Sequence, residues 1–89
     1  MMAEPARKEW VQRGIPLKLF QDYLIDLGGS PAGDGRVAGP GWQAHLQRVE
    51  DYQIGSLRVG QVHVEFEGQP EALDALLAQL EKKLLRAGA

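Results

Sequence analysis

The sequence predicts an α+β domain in the order β-α-β-β-β-β-α, an antiparallel sheet with two helices packed on one of its faces. Three observations predict it. Apolar residues recur at helical spacing in two segments, one early and one at the end. Apolar and polar residues alternate between those segments, and the connectors there are too short for parallel crossovers. With 89 residues the chain is expected to form one domain over 1–89. Residues 1–7 are expected to be a flexible end.

Taken in order, Lys8 to Gly14 carries Trp10 and Val11 and stops at Gly14-Ile15-Pro16, which predicts a short strand. Pro16 suits the first turn of a helix, where its missing N–H is not needed. Leu17, Phe20, Leu24 and Leu27 then form one apolar face, and Gly28-Gly29 supplies the stop. Ser30 to Gly41 is a Gly- and Pro-rich connector with a tight turn at Asp34-Gly35 and a very short edge strand at Arg36–Ala38. Trp42, Ala44 and Leu46 alternate with Gln43, His45 and Gln47, as in a half-buried strand. The alternation slips near Val49, which predicts a bulge or bend. Glu50-Asp51 is expected to begin a turn, Ile54–Val59 a short strand, and Val59-Gly60-Gln61 a tight reversal. Val62, Val64 and Phe66 alternate with His63, Glu65 and Glu67 in the clearest strand of the chain. Pro70 opens the last helix, with a stripe of Leu73, Leu76, Leu77, Leu80 and Leu84, and Lys82, Lys83 and Arg86 close it.

Composition narrows the function classes. Cysteine is absent, so there is no disulfide, thiolate metal site or thiol nucleophile. A net charge of −2 from 10 basic and 12 acidic residues argues against nucleic acid, which calls for a concentrated basic surface. No apolar run approaches the ~20 residues of a membrane span, and residues 1–8 lack a signal-peptide core. A cytoplasmic protein with no membrane partner is expected. Asn and Thr are missing, which suits a GC-rich genome and a thermophile.

The candidate chemistry is sparse. His45 and His63 fall on the polar phase of their strands and could serve a metal or a proton. With a strand from 54 to 59 between them, their backbones would lie roughly 10 Å apart, too far for joint ligation. Two solvated histidines is the plainer reading, and no HxH or HExxH spacing is present. Glu65 and Glu67 share the face of His63, and His63 with Glu65 is the first place to expect a polar pocket. Ser30 and Ser56 lack the G-x-S-x-G setting of a nucleophile. The glycines from Gly28 to Gly35 lack phosphate-loop spacing and follow a helix instead of preceding one. Trp42 fits either the core or an exposed interface at a strand end. No catalytic, cofactor-binding or metal residue is assigned. The expected binding surface is Trp42, His45, His63 and Glu65.

From Ile15 to Gly68 the chain resembles the C-terminal domain, of unknown function, of MoaD-related proteins from thermophilic bacteria. The residues that carry the resemblance are Pro16-Leu17-Lys18-Leu19-Phe20-Gln21-Asp22-Tyr23-Leu24 and Gly28-Gly29, then Gly35, Gly39-Pro40-Gly41, Gly55-Ser56-Leu57, and Val62-His63-Val64-Glu65-Phe66-Glu67-Gly68. The resemblance implies a TATA-binding-protein-like fold of the same element order. In such relatives the domain follows a ubiquitin-like sulfur carrier whose tail ends in Gly-Gly. Here 89 residues leave no room for that carrier, Gly28-Gly29 is internal, and the tail reads Arg86-Ala87-Gly88-Ala89. The chain is therefore not expected to bear the thiocarboxylate. The resemblance supplies no catalytic residue and no cofactor.

The expected function is a non-catalytic binding or protein-interaction domain, accessory to molybdenum-cofactor or sulfur-carrier proteins. Its partner would be a MoaD-type sulfur carrier or a pterin-pathway protein, and a homodimer through an exposed edge strand is a further expectation. The alternative is a small-molecule-binding or enzymatic domain with a cleft between the sheet and the first helix. A flat polar sheet favours the first, and a concave pocket holding His or carboxylate groups favours the second.

Overall fold

The computed structural model describes residues 5–88. Strand β1 (Ala6–Arg13) leads into helix α1 (Leu17–Asp26), and strands β2 (Ser30–Pro31), β3 (Arg36–Gly39), β4 (Trp42–Ile54) and β5 (Leu57–Gly68) precede helix α2 (Pro70–Gly88). The strands form one sheet in the order β1-β5-β4-β3-β2, and every pairing is antiparallel. The expected class and order are those observed. Strand β1 begins at Ala6, so Ala6 and Arg7 of the expected loose end are paired to β5, while residues 1–4 of that end lie outside the described residues.

Both helices begin and end where local chemistry dictates. Pro16 is the extended N-cap of α1. At the other end the Gly28 and Gly29 amides donate to the Ile25 and Leu24 carbonyls at 3.1 and 3.0 Å, the paired bonds of a Schellman stop. Helix α1 buries Phe20 and Leu24, and α2 buries Leu73, Leu76 and Leu80. Both sets pack on the inner face of the sheet, made by Trp42, Ala44 and Leu46 of β4 and Val62, Val64 and Phe66 of β5. Phe66 lies between two tryptophans, with its ring centroid 5.4 Å from Trp10 and 6.5 Å from Trp42.

Segmentation of the middle strands differs from expectation. Neither Glu50-Asp51 nor Gly60 is a turn. β4 and β5 are one long hairpin that reverses at Gly55-Ser56, between the paired residues Ile54 and Leu57. Gly55 has φ +59° and, among the described residues, no non-glycine has positive φ, Ser56 included, which is the type II′ pattern that suits a twisted two-residue hairpin. The expected bulge is present. Val49 pairs with Gln61 and Tyr52 with Val59, so Glu50 and Asp51 oppose Gly60 alone. β3 is not an edge strand either, because Ser30 and Pro31 pair on its far side.

The misplaced turn gives a direct test. Gly60 has open space around its α-carbon and ordinary backbone angles. Gly60→Ala should therefore leave the urea midpoint unchanged or raise stability by up to about 1 kcal/mol. Gly55→Ala places a Cβ at positive φ and should lower stability by about 1–2 kcal/mol. A reversal at Gly60 would exchange the two results.

Candidate functional site

Neither helix covers the outer face of the sheet. The register lays its side chains out in rows across the strands. Glu9 of β1 faces Glu65 of β5, which faces His45 of β4, which faces Arg36 of β3. Val11, His63 and Gln47 make the next row. Opposed carboxylates such as Glu9 and Glu65 repel. Arg7 relieves them by reaching both, at 3.4 Å from Glu9 and 3.2 Å from Glu65. The His63 Nε2 lies 3.6 Å from the same Glu9 oxygen, Oε2, that Arg7 contacts, an ion pair when the imidazole carries its proton. On the other side of Glu65, a shallow hollow of about 200 Å³ is lined by Arg36, Gln43, His45 and Glu67 among others.

Three of the four expected surface residues share this face: His45, His63 and Glu65. Trp42 does not. It is in the opposite phase of β4, 6% exposed, with its indole against the inner face and over Gly39, where an added Cβ would run into the ring. That is the core placement. The separation expected between the histidines is also corrected. β4 and β5 are direct neighbours, so no strand intervenes, and His45 and His63 occupy diagonal positions roughly 7–8 Å apart at the backbone. Among the described residues no group of three His, Asp or Glu side chains is placed to hold a metal.

Beyond the bulge the outer face changes character. The extra residue reverses the phase of β4, so Tyr52 and Ile54 point to the outer side, level with Val59 and Leu57 of β5. Ile54 is 56% exposed and Leu57 68% exposed, and Tyr52 and Val11 are exposed as well. Arg13 ties this apolar half to the charged half. Its guanidinium carbon sits 3.8 Å from the Tyr52 ring centre, and its Nε donates to Gln61 at 3.0 Å. Gln61 in turn donates to the Glu50 carbonyl at 2.8 Å, bracing the bulge. These residues of the arm, the part of the β4–β5 hairpin beyond the bulge, escaped the sequence reading because Glu50-Asp51 looked like a turn. The signal was the symmetry of Tyr52 and Ile54 with Leu57 and Val59 about Gly55-Ser56.

A second concavity lies on the inner side, between the start of α1 and the root of the arm. It is a cleft of about 630 Å³ with Ile15, Leu17 and Val62 on its walls and Lys18, Arg48 and Arg58 at its rim. This is the cleft between sheet and first helix that the sequence suggested as an alternative. No His, Asp, Glu or Ser lines it, so its lining offers no imidazole, carboxylate or hydroxyl, and Lys18 supplies an amine. Sequence reading suggested a cleft here but expected His or carboxylate groups in it and missed its cations. Arg48 and Arg58 continue the inward phase of Leu46 and Val62, and a cation in the apolar phase of a strand was the available signal.

The comparison with known proteins bears on the whole of this architecture. A family model described as archaeal MoaD-like protein matches residues 8–89. The chain belongs to that family. It is accordingly a sulfur-carrier-related domain, and the match runs from β1 through α2, both faces of the sheet included. No curated protein matches the chain. No described helix is long and apolar enough to cross a membrane.

The charged lattice makes a modest, salt-dependent contribution to stability. Arg7→Ala leaves Glu9 and Glu65 opposed and should lower stability by about 0.5–1 kcal/mol at low ionic strength. In roughly 1 M salt the loss should fall close to zero. Urea titration at the two salt concentrations measures both.

Proposed function

We propose that this domain is a non-catalytic protein-interaction module of the sulfur-carrier system, which docks a MoaD-type carrier or a pterin-pathway protein on the outer face of its sheet. The observation that carries the reading is the juxtaposition on that face of a charged half and an apolar half. Tyr52, Ile54 and Leu57 are large apolar side chains left in water, next to an array of Arg7, Glu9, His45, His63 and Glu65. A protein partner desolvates apolar residues and matches the charge pattern around them, which gives affinity in the first case and orientation in the second. Membership in the MoaD-like family supports a partner from the same system. The His45, His63 and Glu65 side chains then act as recognition groups.

The free edge of β1 favours one further reading, a homodimer. Among the described residues β1 pairs only with β5, which leaves the other side of its eight residues unpaired there, whereas β2 at the far edge is two residues long and contains Pro31. A second copy could extend the sheet there.

Light scattering after size-exclusion chromatography, on the domain alone and with the MoaD-type carrier of the same host, tests both. A complex with the summed mass is expected, abolished by Leu57→Glu and weakened at least tenfold by Glu65→Lys or His63→Ala, with Arg48→Ala on the inner face unaffected. A dimeric mass for the domain alone supports pairing at β1. A monomer that forms no complex contradicts the proposal.

A further inference from the structure

The inner cleft at the root of the arm has no part in the outer-face reading, since the sheet separates the two. Its chemistry is unlike the rest of the molecule. The chain as a whole carries a net charge of −2, yet three cations meet here with no carboxylate among the lining residues. Among the described residues Lys18, Arg48 and Arg58 make no ion pair, whereas Arg7 and Lys83 do. Lys18 also stands in the first turn of α1, which contains no acidic residue. A helix N-terminus favours an anion, so the lysine adds to a positive field instead of neutralising one. Like charges gathered in one concavity repel, and an anion entering it relieves all three.

The walls set the rest of the ligand. Ile15, Leu17 and Val62 present hydrocarbon, and Gly60 and Gly14 bring bare backbone to the edge of the cleft. A volume of about 630 Å³ falls within the ~300–1,000 Å³ of small-molecule sites, which combine apolar walls with a few convergent polar groups. We propose that this cleft binds a small organic anion, with an apolar body on Ile15, Leu17 and Val62 and its carboxylate or phosphate held by Lys18, Arg48 and Arg58. The cleft lining has no imidazole, carboxylate or hydroxyl side chain, and the three cations act in it as anion-binding groups.

Nitrogen-15 chemical-shift titrations of the full chain test this with four probes: naphthalene-1-carboxylate, 1-naphthyl phosphate, the neutral 1-naphthalenemethanol, and inorganic phosphate. The two naphthyl anions should shift the amides of Gly14, Leu17, Lys18, Gly60 and Val62 in a saturable way. The neutral probe and inorganic phosphate should each bind at least tenfold more weakly, which is about 1.4 kcal/mol. The double variant Arg48→Ala, Arg58→Ala should lose at least tenfold for the anions, and Arg7→Ala on the outer face should lose nothing. Equal binding of the neutral probe overturns the cationic half of the proposal, and equal binding of inorganic phosphate overturns the apolar half. Shifts that map elsewhere, or no saturable shift at low-millimolar anion, overturn the whole. The comparison among probes uses the unaltered chain, so it stands even if the double variant unfolds.

Discussion

A β-hairpin longer than the helices that pack on it governs this molecule. β4 has 13 residues and β5 has 12, so at ~3.3 Å per residue each runs about 40 Å. Helix α1 has only 10 residues, about 15 Å at 1.5 Å per residue. Apolar side chains therefore fill the inner face only as far as Leu46 and Val62. Past that point the two strands continue as a ribbon whose residues are almost all exposed, and the molecule extends 53 Å along its long axis against 22 and 21 Å across. Phe66, between Trp10 and Trp42, anchors the covered end.

Both candidate surfaces follow from that mismatch. On the inner side the cover stops abruptly at the β1–α1 connection, and the step between helix and bare ribbon is the cationic cleft. On the outer side the bulge after Val49 exchanges the phase of β4, so side chains that would have continued toward the core emerge into water instead. An apolar patch thus adjoins the ionic array without any helix near it. The arm is held in line by Arg13, Gln61 and Tyr52, which link β1 to both strands of the ribbon across the bulge. Membership in the MoaD-like family gives this surface a biological setting.

The covered end was legible in the sequence because packing there obeys a simple period. Leucines at intervals of three and four marked both helices, and Val62, Val64 and Phe66 marked the strand beneath them. The uncovered end was not legible for the same reason. Without a core to impose alternation, Glu50, Asp51 and Gly60 resembled turn residues, although the bulge absorbs the first two and the third is ordinary strand. That error also placed a phantom strand between His45 and His63. Trp42 was ambiguous because its slot depends on Gly39, a neighbour across the hairpin that only the register identifies. The Arg7 bridge between Glu9 and Glu65 joins residues more than fifty positions apart in sequence, and pattern within one strand cannot reveal it.

Amide hydrogen exchange along β4 and β5 tests the central claim most directly. If one hairpin runs from the packed core into a free-standing arm, the paired amides near Leu46, Val64 and Phe66 should be the slowest, exchanging only on global unfolding. Those of Gln53 and Arg58 should show measurable but lower protection, with the step falling at the bulge. Protection in the arm lost entirely, with a reversal at Gly60 and unpaired residues beyond it, would contradict the account.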